Sequence, residues 1–221
     1  MLCSPHNPVG TVFTGDELAE LGRLCARHGV LICSDEIHCE LVLDAHVRHI
    51  PTAMACRDYQ HGIITLMAPS KTFNLAGANC SFAIIPDPAL RLQFQESIHR
   101  VAPPVSGLAY AAALAAYRDS GDWHAALLDY LRGNRDLLEA EIARIPQLSM
   151  PHVSATYLGW LDTRQLATGG RANALFQQHG IGFSCGSGFG DEHFQRINFA
   201  CTRANLVESI ERLKAAVDAC K

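Results

Sequence analysis

Residues 68–77 read APSKTFNLAG and follow an apolar run at residues 62–67 that predicts a buried strand. Lys71 therefore comes just beyond the carboxyl end of a strand, at the edge where open α/β sheets hold their ligands. A lysine that is partly desolvated at such an edge has its ammonium form disfavoured, so it becomes a usable nucleophile and base. The alternative is a solvated loop lysine, and the rest of the chain has to decide between the two.

The segments before and after this lysine alternate between helical and strand patterns. Thr14 and Glu17 have the spacing of a capping box in front of an apolar helical face. The continuous apolar run at residues 30–35 predicts a strand buried on both faces, as in a parallel sheet. Similar runs predict strands at residues 63–67 and 80–85. This order of helices and strands is typical of an α/β fold.

The pattern changes near residue 122. Before it, residues 89–100 and the alanine-rich residues 106–119 predict helices, and we expect the second one to lie in the core. After it, residues 123–145 carry the amphipathic, charged pattern of a long helix that crosses between domains, and short strands and helices follow. We therefore predict two domains, a large one at residues 1–122 and a smaller α+β one at residues 123–221.

The composition excludes several classes of function. With 48% hydrophobic and 18% charged residues, the 221-residue chain has the composition of an ordinary soluble globular protein. A net charge of -4 predicts no binding to nucleic acid or to an anionic membrane. The longest apolar run, residues 107–117, is too short to span a bilayer, and the first residues do not have the pattern of a signal peptide.

The cysteines and histidines predict neither disulfides nor a metal site. The nine cysteines are scattered and form no C-x-x-C pair, which is typical of reduced, buried, structural thiols in a cytoplasmic protein. No pair among the eleven histidines has the spacing and flanking residues of a zinc site.

Polar residues follow the predicted strands of the first half: Asn7, Asp35 with His38, and Lys71. If these strands are neighbours, the four side chains converge on one crevice. Such a set suits an aldehyde cofactor, because the lysine forms a Schiff base and the acid stabilises a protonated ring nitrogen. The amide and the imidazole would bind a phenolic oxygen. Taken singly, Asn7 also fits a turn residue, Asp35 a helix cap, and His38 a core or surface histidine.

Three motifs resemble the class I and II family of aminotransferases, which depend on pyridoxal 5'-phosphate (PLP). They are SPHNPVG at residues 4–10, SDEIH at residues 34–38 and SKTFNLAG at residues 70–77. Most relatives have tyrosine at the position of His38. The histidine here resembles the branch of carbon–sulfur β-lyases of the MalY/PatB cystathionine β-lyase type. Three later segments resemble that branch as well: residues 156–162, 183–190 and 196–201.

The resemblance runs from residue 2 to the end and implies the PLP fold type I. The chain would contain the C-terminal part of its large domain, with a mostly parallel sheet in a three-layer αβα arrangement, and the smaller α+β C-terminal domain. The chain opens on what looks like the tail of a strand, so we expect material before Met1. In this fold an N-terminal half supplies a glycine-rich phosphate-binding turn, an aromatic residue that stacks on the ring, and several strands.

The resemblance assigns roles to individual residues. Lys71 would be the Schiff-base lysine and proton shuttle, and Asp35 would pair with the pyridine nitrogen. Asn7 and His38 would bind the ring oxygen. Arg196 falls where the family places the arginine that grips the substrate α-carboxylate, a bidentate task suited to guanidinium. The alternative for Arg196 is a surface arginine at a strand edge.

The expected phosphate site departs from the family pattern. Ala68 stands where relatives usually have a serine or threonine that holds the cofactor phosphate, and Ser70 would partly compensate. Asn79 stands where many aminotransferases carry a basic phosphate ligand. Residues 186–190 are glycine-rich but have no strand-turn-helix context, so we expect a turn near the substrate and not a nucleotide loop.

These roles lead to a functional hypothesis with two alternatives. The expected reaction is the α,β-elimination of L-cystathionine or cysteine S-conjugates to thiol, pyruvate and ammonia. The first alternative is transamination on the same cofactor, and the second is a truncated chain without activity. The resemblance also implies a homodimer for the full-length form.

Overall fold

The computed structural model describes residues 1–220, which form two compact units. The first unit contains Met1–Pro5 and Val12–Ala126, and the second contains His6–Thr11 and the chain from Leu127 onward. The boundary between them falls inside the helix Gly121–Ile142. The assignment of a cofactor-binding domain to residues 1–122 and a small domain to residues 123–221 stays a prediction.

The first unit is built on a four-stranded sheet in the order β1-β2-β3-β4. Its strands are β1 (Leu2–Cys3), β2 (Ile32–Asp35), β3 (Ile63–Met67) and β4 (Phe82–Ile84). The first three run parallel, and β4 is antiparallel to β3. The sheet is therefore mostly parallel, as predicted, and the carboxyl ends of β1, β2 and β3 meet at one edge.

The first unit has five α-helices, and side-chain caps at Thr14, Asp87 and Ser106 begin three of them. They are α1 (Gly15–Arg27), α2 (Thr52–Ala55), α3 (Pro88–Ile98), α4 (Gly107–Asp119) and the start of α5 (Gly121–Ile142). The capping box of α1 is confirmed, because Thr14 Oγ1 accepts a hydrogen bond from the Glu17 amide and the Thr14 amide donates to the Glu17 carboxylate.

The predicted strand at residues 30–35 is wrong in its first two residues. Val30 and Leu31 are 50% and 53% exposed, and the ladder begins only where Ile32 pairs with Ile63. The apolar run in the sequence begins two residues before the strand pairs with β3. Residues outside the paired part are exposed, since burial on both faces requires a neighbouring strand.

The prediction that residues 106–119 form a core helix is also wrong. The helix is present as α4, but Leu108 and Tyr110 are 86% and 62% exposed, and Leu114 is exposed as well. Only Ala109 and Ala116 are buried. Alanine has a high helix propensity whether it is buried or exposed. An alanine-rich segment therefore predicts a helix but does not show whether that helix is buried.

The thiols are less buried than predicted. None of the nine cysteines, all within residues 1–220, forms a disulfide, but only Cys56 and Cys80 are buried and the other seven are partly exposed. Several lie at the ends of strands or on the flank of a helix, where apolar neighbours in sequence do not guarantee cover. Within residues 1–220 no group of histidine, cysteine and acidic side chains could hold a metal ion. No helix in the described part of the chain is long and apolar enough to cross a membrane.

The second unit is built on a three-stranded antiparallel sheet in the order β5-β7-β6. The strands are β5 (Leu158–Asp162), β6 (Ser184–Cys185) and β7 (Phe194–Asn198), and the helices are the rest of α5, α6 (Ala172–Gln178) and α7 (Arg203–Asp218). Leu138, Phe176, Phe199 and Leu213 are among its fully buried side chains. The sequence does not predict β6, since two residues carry no periodic pattern.

Candidate active site

The first unit places three of the predicted site residues at one edge of its sheet. Asp35 is the last residue of β2 and pairs in register with Leu66 of β3. The chain leaves β3 at Met67 and reaches Ser70 and Lys71 within four residues. Since β2 and β3 are parallel neighbours, Asp35, Ser70 and Lys71 all follow strands at the same edge, where open sheets hold ligands.

The Asp35 carboxylate is partly buried and accepts one hydrogen bond from the described chain. Its Oδ1 accepts a hydrogen bond from the Ile37 amide at 3.3 Å, which ties the carboxylate to the turn after β2. Across residues 1–220 no salt bridge or second hydrogen bond to this carboxylate is present. The group therefore has an oxygen for a positively charged donor such as a protonated ring nitrogen.

Lys71 lies in a tight turn with its side chain partly exposed. The Phe73 amide donates to the Pro69 carbonyl at 2.9 Å and the Leu75 amide to the Ser70 carbonyl at 3.1 Å, so the backbone on both sides is fixed. In the described chain no carboxylate pairs with the Lys71 amine, in contrast to Lys214, which pairs with Glu141 and Glu211. An amine without such a partner is available to an aldehyde.

An aromatic cluster anchors the loop that carries Lys71. The Phe73 ring packs edge-on against Tyr117 at 5.6 Å between centroids, and it lies 6.1 Å from the Trp123 ring at an interplanar angle of 29°. Such pairs add to the burial that fixes a loop. Phe73 was not identified from sequence as a supporting residue, although it lies two positions after the lysine.

His38 is in the turn after β2 and is only 2% exposed. The Cys39 amide donates to the Glu36 carbonyl and the Leu41 amide to the His38 carbonyl, which gives this turn its shape. Burial agrees with a core histidine and with a ring that meets a cofactor oxygen, so the role of His38 stays a prediction. Burial also raises the pKa of the neighbouring Cys39 thiol to about 12, so that thiol is not a nucleophile at neutral pH.

The predicted phosphate residues share one cavity of the first unit. The cavity has a volume of about 820 Å³, and Ala68, Ser70 and Asn79 line it together with Ser81 and His99. Its size is in the range of small-molecule sites. Hydroxyl and amide groups are present, but no lysine or arginine lies among the lining residues. The donor set thus fits a phosphate held by neutral donors, in line with the departures at Ala68 and Asn79.

In the second unit Arg196 lies on the central strand and not at an edge. Its Nη1 donates to Asn7 Oδ1 at 3.1 Å and its Nη2 donates to Ser184 Oγ at 3.2 Å. The guanidinium carbon lies 4.8 Å from the centroid of the Phe189 ring. These contacts fix the plane of the guanidinium and leave further N–H donors for a carboxylate. The position contradicts the alternative of a surface arginine at a strand edge.

Aromatic side chains surround Arg196 on the same sheet. Trp160 is its register partner on β5 and stacks on Phe194 at 5.1 Å between ring centroids. Phe189, in the short 3₁₀ turn Gly186–Phe189, meets Trp160 edge-on at 5.6 Å. The sequence predicts a turn here but not the contacts of Phe189 and Ser184 with Arg196, because these depend on how β6 and the turn after it lie against β7.

The charge of Arg196 also acts on its surroundings. Burial raises the pKa of the Tyr157 phenol, and the positive charge of Arg196 acts in the opposite direction. Since burial is the larger effect, Tyr157 stays a neutral hydroxyl at physiological pH. A neutral Tyr157 hydroxyl therefore does not act as an anion that would compete with a ligand for the Arg196 guanidinium.

Comparisons with known proteins match nearly the whole chain. The sequence profile of the family "Aminotransferase class I and II" matches residues 1–213. Cystathionine beta-lyase PatB of Bacillus subtilis (strain 168) is 37% identical over 228 residues, covering 98% of this chain and 57% of that protein.

Two solved structures have the same fold at similar coverage. The crystal structure of OvoB matches with a TM-score of 0.93 at 46% identity, over 98% of this chain and 57% of that one. A PLP-bound putative aminotransferase from Clostridium difficile 630 matches with a TM-score of 0.93 at 36% identity, again over 98% and 57%. The chain therefore has the PLP fold type I and spans a little over half the length of the proteins it matches.

Proposed function

The chain belongs to the class I and II aminotransferase family, and from this membership we propose that it carries the catalytic lysine of a PLP-dependent carbon–sulfur β-lyase. The observation that carries the proposal is the shared sheet edge, with Asp35 at the end of β2 and Lys71 beyond the parallel strand β3. The similarity to a cystathionine β-lyase over 98% of the chain supports a lyase in particular.

The family resemblance implies five residues of this chain that would hold the cofactor. Lys71 Nζ would form the covalent bond to its aldehyde, and the Asp35 carboxylate would hold a proton on the ring nitrogen. His38 and Asn7 would bind the ring oxygen, and Ser70 would contribute to the phosphate site. When bound, PLP supplies an electron-withdrawing ring that stabilises negative charge at the substrate Cα.

The chain's own groups would then bind the substrate and move protons. The fixed guanidinium of Arg196 would grip the α-carboxylate and so orient the amino acid. Lys71 Nζ would take the proton from Cα once the substrate amine has displaced it from the cofactor. A thiolate at Cβ is a good leaving group that needs no strong acid, so one lysine is sufficient as proton carrier. The expected substrates are L-cystathionine or cysteine S-conjugates, which with one water molecule would give thiol, pyruvate and ammonia.

Transamination is the second candidate, because a putative aminotransferase is similar at 36% identity. The two reactions divide after Cα loses its proton. A lyase would expel the thiolate from Cβ, whereas a transaminase would return the proton to a carbon of the cofactor and leave the amino group there, and the same lysine would serve both. An assay with L-cystathionine separates them. Release of thiol and pyruvate without an added keto acid supports the lyase, whereas amino transfer that requires a keto acid contradicts it. Absence of both reactions favours a chain that is inactive by itself.

Two further properties are part of the proposal. We expect the full-length form to be a homodimer, as the family resemblance implies. Localisation in the cytoplasm stays a prediction from the scattered free cysteines.

A further inference from the structure

Glu36, directly after Asp35, is a buried carboxylate outside the proposed ligand site. It is 1% exposed, and its Oε1 accepts hydrogen bonds from Ser34 Oγ and from the Thr52 amide, both at 2.9 Å. Its Oε2 accepts from His49 Nε2 at 2.8 Å. Burial alone would raise the pKa of Glu36, but these three donors outweigh it and hold the pKa below the ordinary value.

These bonds close the loop that carries His38. Glu36 and Thr52 are sixteen residues apart in sequence, and the segment between them leaves the sheet after β2 and returns at α2. At its start the Glu36 amide donates to the Leu66 carbonyl of β3 at 2.9 Å. The Glu36 side chain thus joins both ends of the loop, while its backbone joins the loop to the strand that leads to Lys71.

We propose that Glu36 and His49 are positioning residues, which fix the turn of residues 35–41 so that Asp35 and His38 meet the cofactor ring. The inference rests on the proposed function, because only the proposed function puts a cofactor ring against residues 35–41. An ionised carboxylate with three donors has one orientation, whereas a neutral amide would bring its NH₂ group against one of those donors. His49 is the partner that a single substitution can remove without changing the backbone.

Three variants separate a positioning role from general packing. His49→Leu removes the donor to Glu36 at similar volume, and His49→Gln keeps an N–H donor. His152→Leu is the matched control, because His152 forms the corresponding pair with Glu139 in the second unit and its side chain is 53% exposed. The measurements are amide hydrogen exchange at residues 36–41 without cofactor, and the PLP concentration that gives half-maximal borohydride-trapped label on Lys71.

We expect His49→Leu to speed exchange at residues 36–41 and to raise the half-maximal PLP concentration, each by about tenfold, because a bond to a buried charge is lost. His49→Gln and His152→Leu should behave as the unmodified chain. Unchanged values in His49→Leu, or exchange that rises evenly over the whole first unit, would overturn the inference.

The inference and the proposed function fail separately. If the unmodified chain traps no PLP on Lys71, the proposed function fails. The exchange measurement then still decides whether Glu36 and His49 fix the turn: a local increase in His49→Leu supports it, and an unchanged rate contradicts it.

Discussion

Arg196 is the residue in the second unit whose chemistry is most specific. Lysine in its place would be a point charge that cannot keep both the Asn7 and Ser184 contacts and still present a bidentate fork. In the PLP-loaded protein we expect Arg196→Lys to raise KM for L-cystathionine by about tenfold or more, with a smaller change in kcat. Steady-state kinetics measure both.

Arg164→Lys is the control for this substitution. Arg164, just beyond β5, pairs with Asp162 and has a side chain that is 63% exposed, so we expect its replacement to leave KM unchanged. Equal KM values for Arg196→Lys and Arg164→Lys would contradict a role of Arg196 in carboxylate binding.

Glu36 predicts a dependence of stability on pH. Its pKa is lower in the folded chain than in the unfolded one, so it stabilises the fold above the unfolded-state value of about 4.3. That contribution is lost as the pH falls through the lower folded-state value. Urea unfolding at a series of pH values should show a steeper acid loss for the unmodified chain than for Glu36→Gln. Parallel curves would contradict the lowered pKa.

Among the local elements, the turn Gly186–Phe189 brings Phe189 to Arg196. A Cβ on Gly186 would collide with the backbone carbonyl oxygens of Asp191 and Phe194, whereas a Cβ on Gly188 would meet nothing within 4 Å. We expect Gly186→Ala to lower the free energy of unfolding by about 1–3 kcal/mol and Gly188→Ala to change it by less than about 0.5 kcal/mol. Chemical denaturation tests this, and equal effects would contradict the turn geometry.

Elements with local signals could be predicted from the sequence. The capping box of Thr14 and Glu17 fixes the start of α1, and the apolar run at residues 63–67 matches β3 exactly in its bounds. The family motifs also predict the fold class, because they occur along the chain in the same order as in the PLP fold type I family. The position of Lys71 beyond β3 follows from the same two signals.

Contacts between distant residues could not be predicted. Ser184 meets Arg196 only through the pairing of the two-residue strand β6 with β7, and a register cannot be read from so short a segment. Glu36 and His49 are thirteen residues apart in an irregular loop, so no periodicity joins them. The exposure of α4 depends on which elements cover it, and helix propensity does not contain that information.

At the scale of the described chain, β4 matters most of the two outer strands of the first sheet, β1 and β4. Within residues 1–220, β4 pairs only with β3, and Phe82 and Ile84 on it are exposed. An apolar outer strand invites pairing between chains. We expect Ile84→Lys to lower the concentration-dependent light scattering of the chain by about twofold or more. Leu92→Lys, on an exposed position of α3, is the control, and equal scattering in both variants would contradict this source of association.

The most direct test of the central claim is to locate the cofactor on the chain. The chain has three lysines, and Lys214, which pairs with Glu141 and Glu211, is an internal control. After incubation with PLP, borohydride reduction and peptide mass spectrometry, we expect the pyridoxyl group on Lys71 and no specific label in Lys71→Ala. Label that is spread over the other lysines, or that persists in Lys71→Ala, would contradict the account.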